Sequence, residues 1–505
     1  MLRPLIQRPL IQRSGRNAAR RTGERGVTMA LVALSMVAII SMAALSIDIG
    51  TLYQASAEAQ RAADAAALAG ARMIAISGLT TDPTNGAGSP PGTVSWAEIC
   101  GGPGSPASLA AIAIGQQNAV GGTSPTVTVT YSAGSASSAA GSNDCTAAGA
   151  GFGINPVVTV KVQQPNLVTF FAHVFSLFNA NYNTASVSAT ASAEAFNSSD
   201  SGSYAVSPRC VKPWIVPNLD PYLSTCTFGC APFINTATGA IDRPGIYADG
   251  TGVVGEQFWL VPDCKVPGPG GTCTFPRDTA GSPVEANYNV GALDPYYQGP
   301  PNLEYLPGLA PTSASASTAI PACSGSALSD TYAQAIAGCD QATQYQCGIP
   351  GQNTVDLTEN PVIPIGSGDT TNGAECLTHQ TPGTTGFTGQ DTLLPAVGGT
   401  YPFQIQAGSN NPMVVAPGGL TANTLISSST SIVSLPIYDN NATPIINPTG
   451  QTAVTIVGFL QVFINQVDGN GNVQVTVMNV TGCGPAPGTA YNGTSSVPVR
   501  LITPP

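Results

Sequence analysis

Residues 27–47 form a run of twenty-one positions without one charged side chain, and no other feature of the chain restricts its fold so strongly. At 1.5 Å per residue a helix of that length covers about 30 Å, the thickness of a bilayer's hydrocarbon core. Seven of the sixteen basic residues (Arg3, Arg8, Arg13, Arg16, Arg20, Arg21 and Arg25) precede the run, and the next one after it is Arg61. The positive-inside rule therefore predicts a single crossing with a cytoplasmic basic tail over 1–26 and with residues 50–505 outside. A cleavable signal peptide carries a shorter apolar stretch, about 7–15 residues, followed by a small-x-small site. Here the stretch is longer and ends in Ile47-Asp48-Ile49, so the sequence predicts a retained anchor over 27–49.

The composition beyond the span excludes one function class and narrows another. Charged residues make up only 9% of the chain, against about 25% in ordinary soluble domains. Only three lysines are present and the formal charge is −11, which leaves no basic footprint for nucleic acid. All twelve cysteines follow the span, as disulfides on the oxidising side of a membrane would. Structural zinc would need C-x2-C knuckles, whereas the closest pair is Cys226 and Cys230 and the only histidines are His173 and His379.

Alanine dominates the residues after Asp48, and the sequence predicts that the helix continues through 50–76. Ala55, Ala59, Ala63, Ala67 and Ala71 recur every four residues, with Ala62, Ala66 and Gly70 beside them. Such a flat face admits a second helix at close range, and we expect it to pair with a like or related helix, a homo-oligomer included. The competing account is propensity alone, since alanine fills helices without packing for any purpose.

Residues 77–153 are punctuated by Gly, Pro, Ser and Thr, which predicts short strands and long loops clipped by Cys100 and Cys145, with one strand at Thr126-Val127-Thr128-Val129-Thr130-Tyr131. Residues 157–162 and 185–195 alternate as strands, and Leu167, Phe170, Phe171, Val174, Leu177 and Phe178 follow helical spacing between them. A boundary is expected near 204, dividing an α+β region (77–204) from a Cys/Pro-rich, β-rich region (205–505). Strands are predicted over 425–437, 452–467 and 472–480, the last two forming a hairpin with one buried face across Asp468-Gly469-Asn470-Gly471-Asn472. The fold class expected is a membrane-anchored α+β protein: a single transmembrane helix extended by an Ala-rich helix, then β-rich, disulfide-containing exported domains.

Apparent catalytic motifs fail on their context. Gly250-Thr251-Gly252-Val253-Val254-Gly255 matches G-x-G-x-x-G but leads into Glu256-Gln257-Phe258-Trp259-Leu260, which opens no βαβ unit. Asp468-x-Asn470-x-Asn472 begins like a calcium loop, yet Val473 stands at the glycine position and Asn479 at that of the bidentate glutamate, so it reads as a turn. There is no G-x-S-x-G, S-x-x-K or H-E-x-x-H. A paired-carboxylate hydrolase leaves no sequence motif, and Asp263, Glu285 or Glu304 are acids such a reading would draw on. The expectation is a protein that is not an enzyme, with no catalytic residue, no cofactor and no metal.

Three stretches carry a family resemblance: Gly26-Val27-Thr28-Met29-Ala30, then Ser46-Ile47-Asp48-Ile49-Gly50-x-x-Tyr53, then Gln60-Arg61-Ala62-Ala63-Asp64-Ala65-Ala66-Ala67-Leu68-Ala69-Gly70-Ala71. Over about residues 22–76 the chain resembles the N-terminal segment of TadG-like Flp pilus-assembly proteins. A fainter likeness to TadE/TadG-type chains extends over Val157-x-Thr159-x-Lys161, Phe170-Phe171, Ser186-Val187-Ser188-Ala189-Thr190-Ala191 and Cys210-Val211-Lys212-Pro213-Trp214. The resemblance implies a non-enzymatic assembly component of a tight-adherence pilus or related secretion apparatus. It implies anchoring in the bacterial inner membrane and other pilus-assembly proteins as partners through the helix 50–76. The metal-binding D-x-S-x-S site that some members carry is missing here. Pilin-type cleavage after Gly26 would want glutamate five residues on, where Leu31 stands. The alternative is a surface adhesin or binding module built on the disulfide-rich region.

Overall fold

A 54-residue helix, α1 (Thr22–Ala75), opens the computed structural model. Residues described by the structure are 22–81, 95–134, 141–148, 152–153, 156–167, 185–195, 206–222, 232–244, 252–262, 302–308, 317–318, 328, 331–340, 345–356, 367–382, 387–394, 404–426, 428–439, 453–469, 471–484, 491–493, 497 and 499–502. Leucine, methionine and isoleucine in its first half and alanine in its second make α1 a strong helix former, with no proline to interrupt it.

The second half of α1 lies against a four-stranded antiparallel sheet in the order β1 (Thr126–Ala133), β2 (Pro156–Leu167), β3 (Ala185–Ala195), β18 (Val499–Ile502). The three strands predicted here form as read. The stretch between β2 and β3, where a helix was expected, lies outside the described residues. The expectation of strands and loops alone over 77–153 is corrected: α2 (Trp96–Cys100) and α3 (Pro106–Gln117) fold there. A capping box of Ser95 and Glu98 starts α2, and Pro106 at the first turn of α3 costs no hydrogen bond. Cys100 and Cys145 are joined as expected, with further disulfides Cys210–Cys339 and Cys347–Cys483.

A second sheet closes on itself. β15 (Ala453–Val467) pairs with β14 (Ile432–Tyr438), which continues through β5 (Trp214–Pro217), β7 (Asn302–Pro307), β6 (Gln257–Pro262) and β16 (Val473–Gly482) back to β15. These six strands form a barrel, and closure removes the edges that an open sheet would expose. Alternation sets its faces: Trp214 and Val216 join one apolar cluster while Ile215 joins another. Strand β10 (Thr354–Asp356) adds to the start of β15.

Helices α4 (Thr331–Ala337) and α5 (Ser367–Thr378) pack on each other. A small sheet of β11 (Thr392–Leu394), β12 (Gln404–Gln406) and β13 (Leu425–Ile426) carries the short α6 (Pro412–Val415). Two short pairs complete the described strands: β4 (Val206–Pro208) with β17 (Tyr491–Gly493), and β8 (Ser317–Thr318) with β9 (Cys339–Asp340).

The C-terminal hairpin of β15 and β16 forms in the expected place, but the expectation of one buried face is corrected. Val473, Val475, Val477 and Val480 are buried in the main apolar cluster, and Thr476, Met478 and Asn479 are buried as well, Met478 against Phe463, Leu393 and Ile405 and Asn479 against the end of α1. The single strand expected over 425–437 is two strands in different sheets. The two regions expected to divide at 204 share structure: β18 returns to pair with β3, where Arg500 meets Glu194.

Candidate membrane anchor and assembly helix

The two halves of α1 have opposite surroundings. Over 28–47 every side chain is exposed except Ala44, and Met29, Leu34, Ile39, Ile40 and Met42 each present more than half their surface. This helix is long and apolar enough to cross a membrane, and its most apolar stretch is bare of protein. Bare apolar side chains over one bilayer thickness suit hydrocarbon and not water, and Ser35 and Ser41 return their hydroxyls to the carbonyls of Val32 and Val37. Asp48 is buried at the far end of this stretch.

From Ala55 onward one face disappears into protein. Ala55, Ala59, Ala62, Ala63, Ala66, Ala67, Ala71 and Ile74 are buried against β2, β3 and α3. Small residues on both helices let α1 and α3 approach: a Cβ placed on Gly70 would lie 3.3 Å from that of Ala111, and one on Gly115 would lie 3.3 Å from that of Ala66. Each methyl contributes little by transfer, so the gain is in accumulated close contacts. This corrects the expected partner surface: the alanine face of 50–76 is filled by the chain's own α3 and sheet, and no second protein can take it. The physical preference was read correctly from spacing, but its occupant was hidden in the Gly- and Pro-rich stretch that folds into α3.

The opposite face stays polar. Tyr53 is exposed, Gln54 donates to Glu58, and Gln60 donates to Asp64. The Glu58 carboxylate accepts from the Gly121 amide at 2.8 Å, and this bond, with that of Gln54, holds its carboxyl below the usual range. At the top of α1, Asn479 of β16 donates to the Ala75 carbonyl at 2.8 Å and to Thr80 Oγ1 at 3.0 Å. The helix terminus, whose last carbonyls lack partners within the helix, is thus seated on the barrel by a residue some 400 positions away. Nothing local in the sequence marks Asn479 for this role.

Of the histidines, His173 lies outside the described residues. His379 is half-buried beside Asp391, and burial lowers its pKa more than that carboxylate raises it. Asp263 and Glu285 lie outside the described residues. The Asp468 carboxylate accepts from the amide and side chain of Asn472, which is turn chemistry. Residues 252–255 run into β6 and open no helix. Among the described residues no group of three or more His, Cys, Asp or Glu side chains is placed to hold a metal ion.

Residues 26–73 match the family model described as "Putative Flp pilus-assembly TadE/G-like". The matched stretch covers α1 almost from end to end, bare half and buried half alike. No curated protein and no solved structure matches the chain. The match supports a role in pilus assembly.

Proposed function

We propose that the chain is a non-enzymatic structural component of a Flp-type pilus or related secretion apparatus. In this reading α1 crosses the inner membrane with the arginine-rich end in the cytoplasm, and residues 50–505 stand on the outer side. The observation that carries it is the division of one continuous, family-matched helix into a bare apolar half and a half built into a folded domain. The arginine asymmetry supports the orientation, and the cystines supply the same direction, because such bonds persist outside the reducing cytoplasm. Protease added to spheroplasts should digest the bulk of the chain and leave only a fragment of the tail and span. A protected C-terminal region would overturn the orientation. Crosslinking in cells that assemble the pili should recover the chain with other pilus-assembly proteins, and recovery of none would overturn the role.

A further inference from the structure

Three ionisable residues from separate segments meet beside the barrel. Asp220 follows β5, Arg243 ends the 232–243 turn, and Glu256 immediately precedes β6. Asp220 and Glu256 expose 1% and 0% of their surface. Arg243 Nη1 contacts Asp220 Oδ2 and lies 2.8 Å from Glu256 Oε1, while Nη2 donates to the Gly252 carbonyl at 2.8 Å. The Tyr222 amide donates to the other Asp220 oxygen. Among the described groups neither Glu256 oxygen receives a well-aligned hydrogen bond.

Charge counting constrains the protons. Two carboxylates beside one guanidinium leave a net negative charge in a water-poor site, which is costly. Both carboxyl groups are also held on the same Arg243 Nη1, and two buried carboxylates side by side disfavour ionisation of the second. Asp220 already accepts from Arg243 and Tyr222, so the proton belongs on Glu256. Asp220 and Arg243 are the charged groups that face Glu256 among the described residues: Asp242 is exposed, the Tyr222 hydroxyl is engaged by Gln257, and β16 carries no ionisable side chain.

We propose that Asp220, Glu256 and Arg243 form a proton-held latch, in which neutral Glu256 donates its hydroxyl to the Asp220 carboxylate and loss of that proton to solvent releases the 252–256 segment from β16. The segment is tied to that strand by two backbone bonds, Gly255 N–H to the Val477 carbonyl at 2.7 Å and Val477 N–H to the Glu256 carbonyl at 2.9 Å. Burial first and Asp220 second push the Glu256 carboxyl up to about 9. The sign follows: between about 4.5, the ordinary value, and about 9 the closed form keeps a proton that the open form gives up, so closure weakens as pH rises.

The test is amide hydrogen exchange on the full chain in detergent micelles from pH 5 to 9, with each rate divided by its intrinsic rate. Protection of the Gly255 and Val477 amides should fall by up to about tenfold per pH unit in the wild type. Glu256→Gln keeps a donor toward Asp220 without a titrating proton and should flatten that slope, whereas Asp220→Asn should move it to lower pH. A wild-type slope retained in Glu256→Gln would overturn the latch. Infrared spectra of the wild type with labelled glutamate should also contain a protonated-acid carbonyl band at pH 7 that titrates near 9. Absence of that band overturns the proposal whether or not the variants fold.

Discussion

Ala66→Leu tests whether the alanine face of α1 is the core of this protein or a surface kept for another. Ala66 is fully buried, and its methyl group already lies against the α3 backbone at Gly115. Leucine adds three carbons where not even one further methyl fits at ordinary contact distance. Overpacking of this kind costs about 1–3 kcal/mol, and the difference in helix propensity between alanine and leucine is too small to offset it. The unfolding equilibrium should shift by about 5- to 150-fold, at roughly tenfold per 1.4 kcal/mol. Ala57→Leu, on the exposed side of the same helix, should change stability by no more than about 0.5 kcal/mol.

All three tryptophans, Trp96, Trp214 and Trp259, are buried outside α1, so their fluorescence reports unfolding of the folded region without interference from that helix. Denaturant titration of the full chain in micelles should give a lower midpoint for Ala66→Leu and an unchanged one for Ala57→Leu. Equal midpoints would refute the packing argument. Were the face an intermolecular surface, Ala66→Leu would leave unfolding unchanged and abolish association, which is the opposite pattern.

Three further outcomes follow from the same structure. Asn479→Ala removes both donors from the Ala75 carbonyl and Thr80 hydroxyl, and leaving the buried carbonyl unpaired should cost about 1–3 kcal/mol, read as faster amide exchange over 74–80 and a lower denaturant midpoint. Opening the 45-residue loop between Cys100 and Cys145 by the double serine substitution should cost about 4 kcal/mol on the chain-entropy model, seen in the same titration. Because burial depresses the pKa of folded His379 below 6.5, the unfolded chain binds more protons in the window just under that value, and stability should fall as pH falls through it. His379→Asn, which tolerates the left-handed φ of 60° at this position, should remove that dependence when unfolding midpoints are measured as a series in pH.

What could be read from the sequence was local and periodic. The span and the alanine run predict α1 because every position agrees on helix, and the β15–β16 hairpin follows from β-branched alternation on both sides of a Gly/Asn turn. Helix α3 was missed because Gly and Pro crowd around it, and its alanines carry almost no amphipathic signal until α1 gives them a partner. The two-sided burial of β16 was missed for a related reason: alternation between valine and polar residues predicts one wet face, but Thr476, Met478 and Asn479 are covered by elements far away in the chain. The pairing of β18 with β3 and the meeting of Asp220 and Glu256 on Arg243 depend wholly on tertiary closure and leave no trace in local composition.

The continuity of α1 decides how the folded region after residue 50 is carried. Twenty-seven residues separate Asp48 from Ala75, about 40 Å of helix. Helix α3 and the first sheet brace that length along its alanine face, and the capping by Asn479 fixes the barrel to its end. In the proposed topology, with Asp48 at the outer edge of the bilayer, the barrel would stand at the top of a stiffened rod and not swing on a linker. Any partner must therefore meet it at that height, or use the polar face of Tyr53, Gln54, Gln60 and Arg61 lower down. It follows that a defect in pilus assembly caused by a bulky substitution on the alanine face reports a damaged support, and only substitutions on the exposed face can report a lost partner.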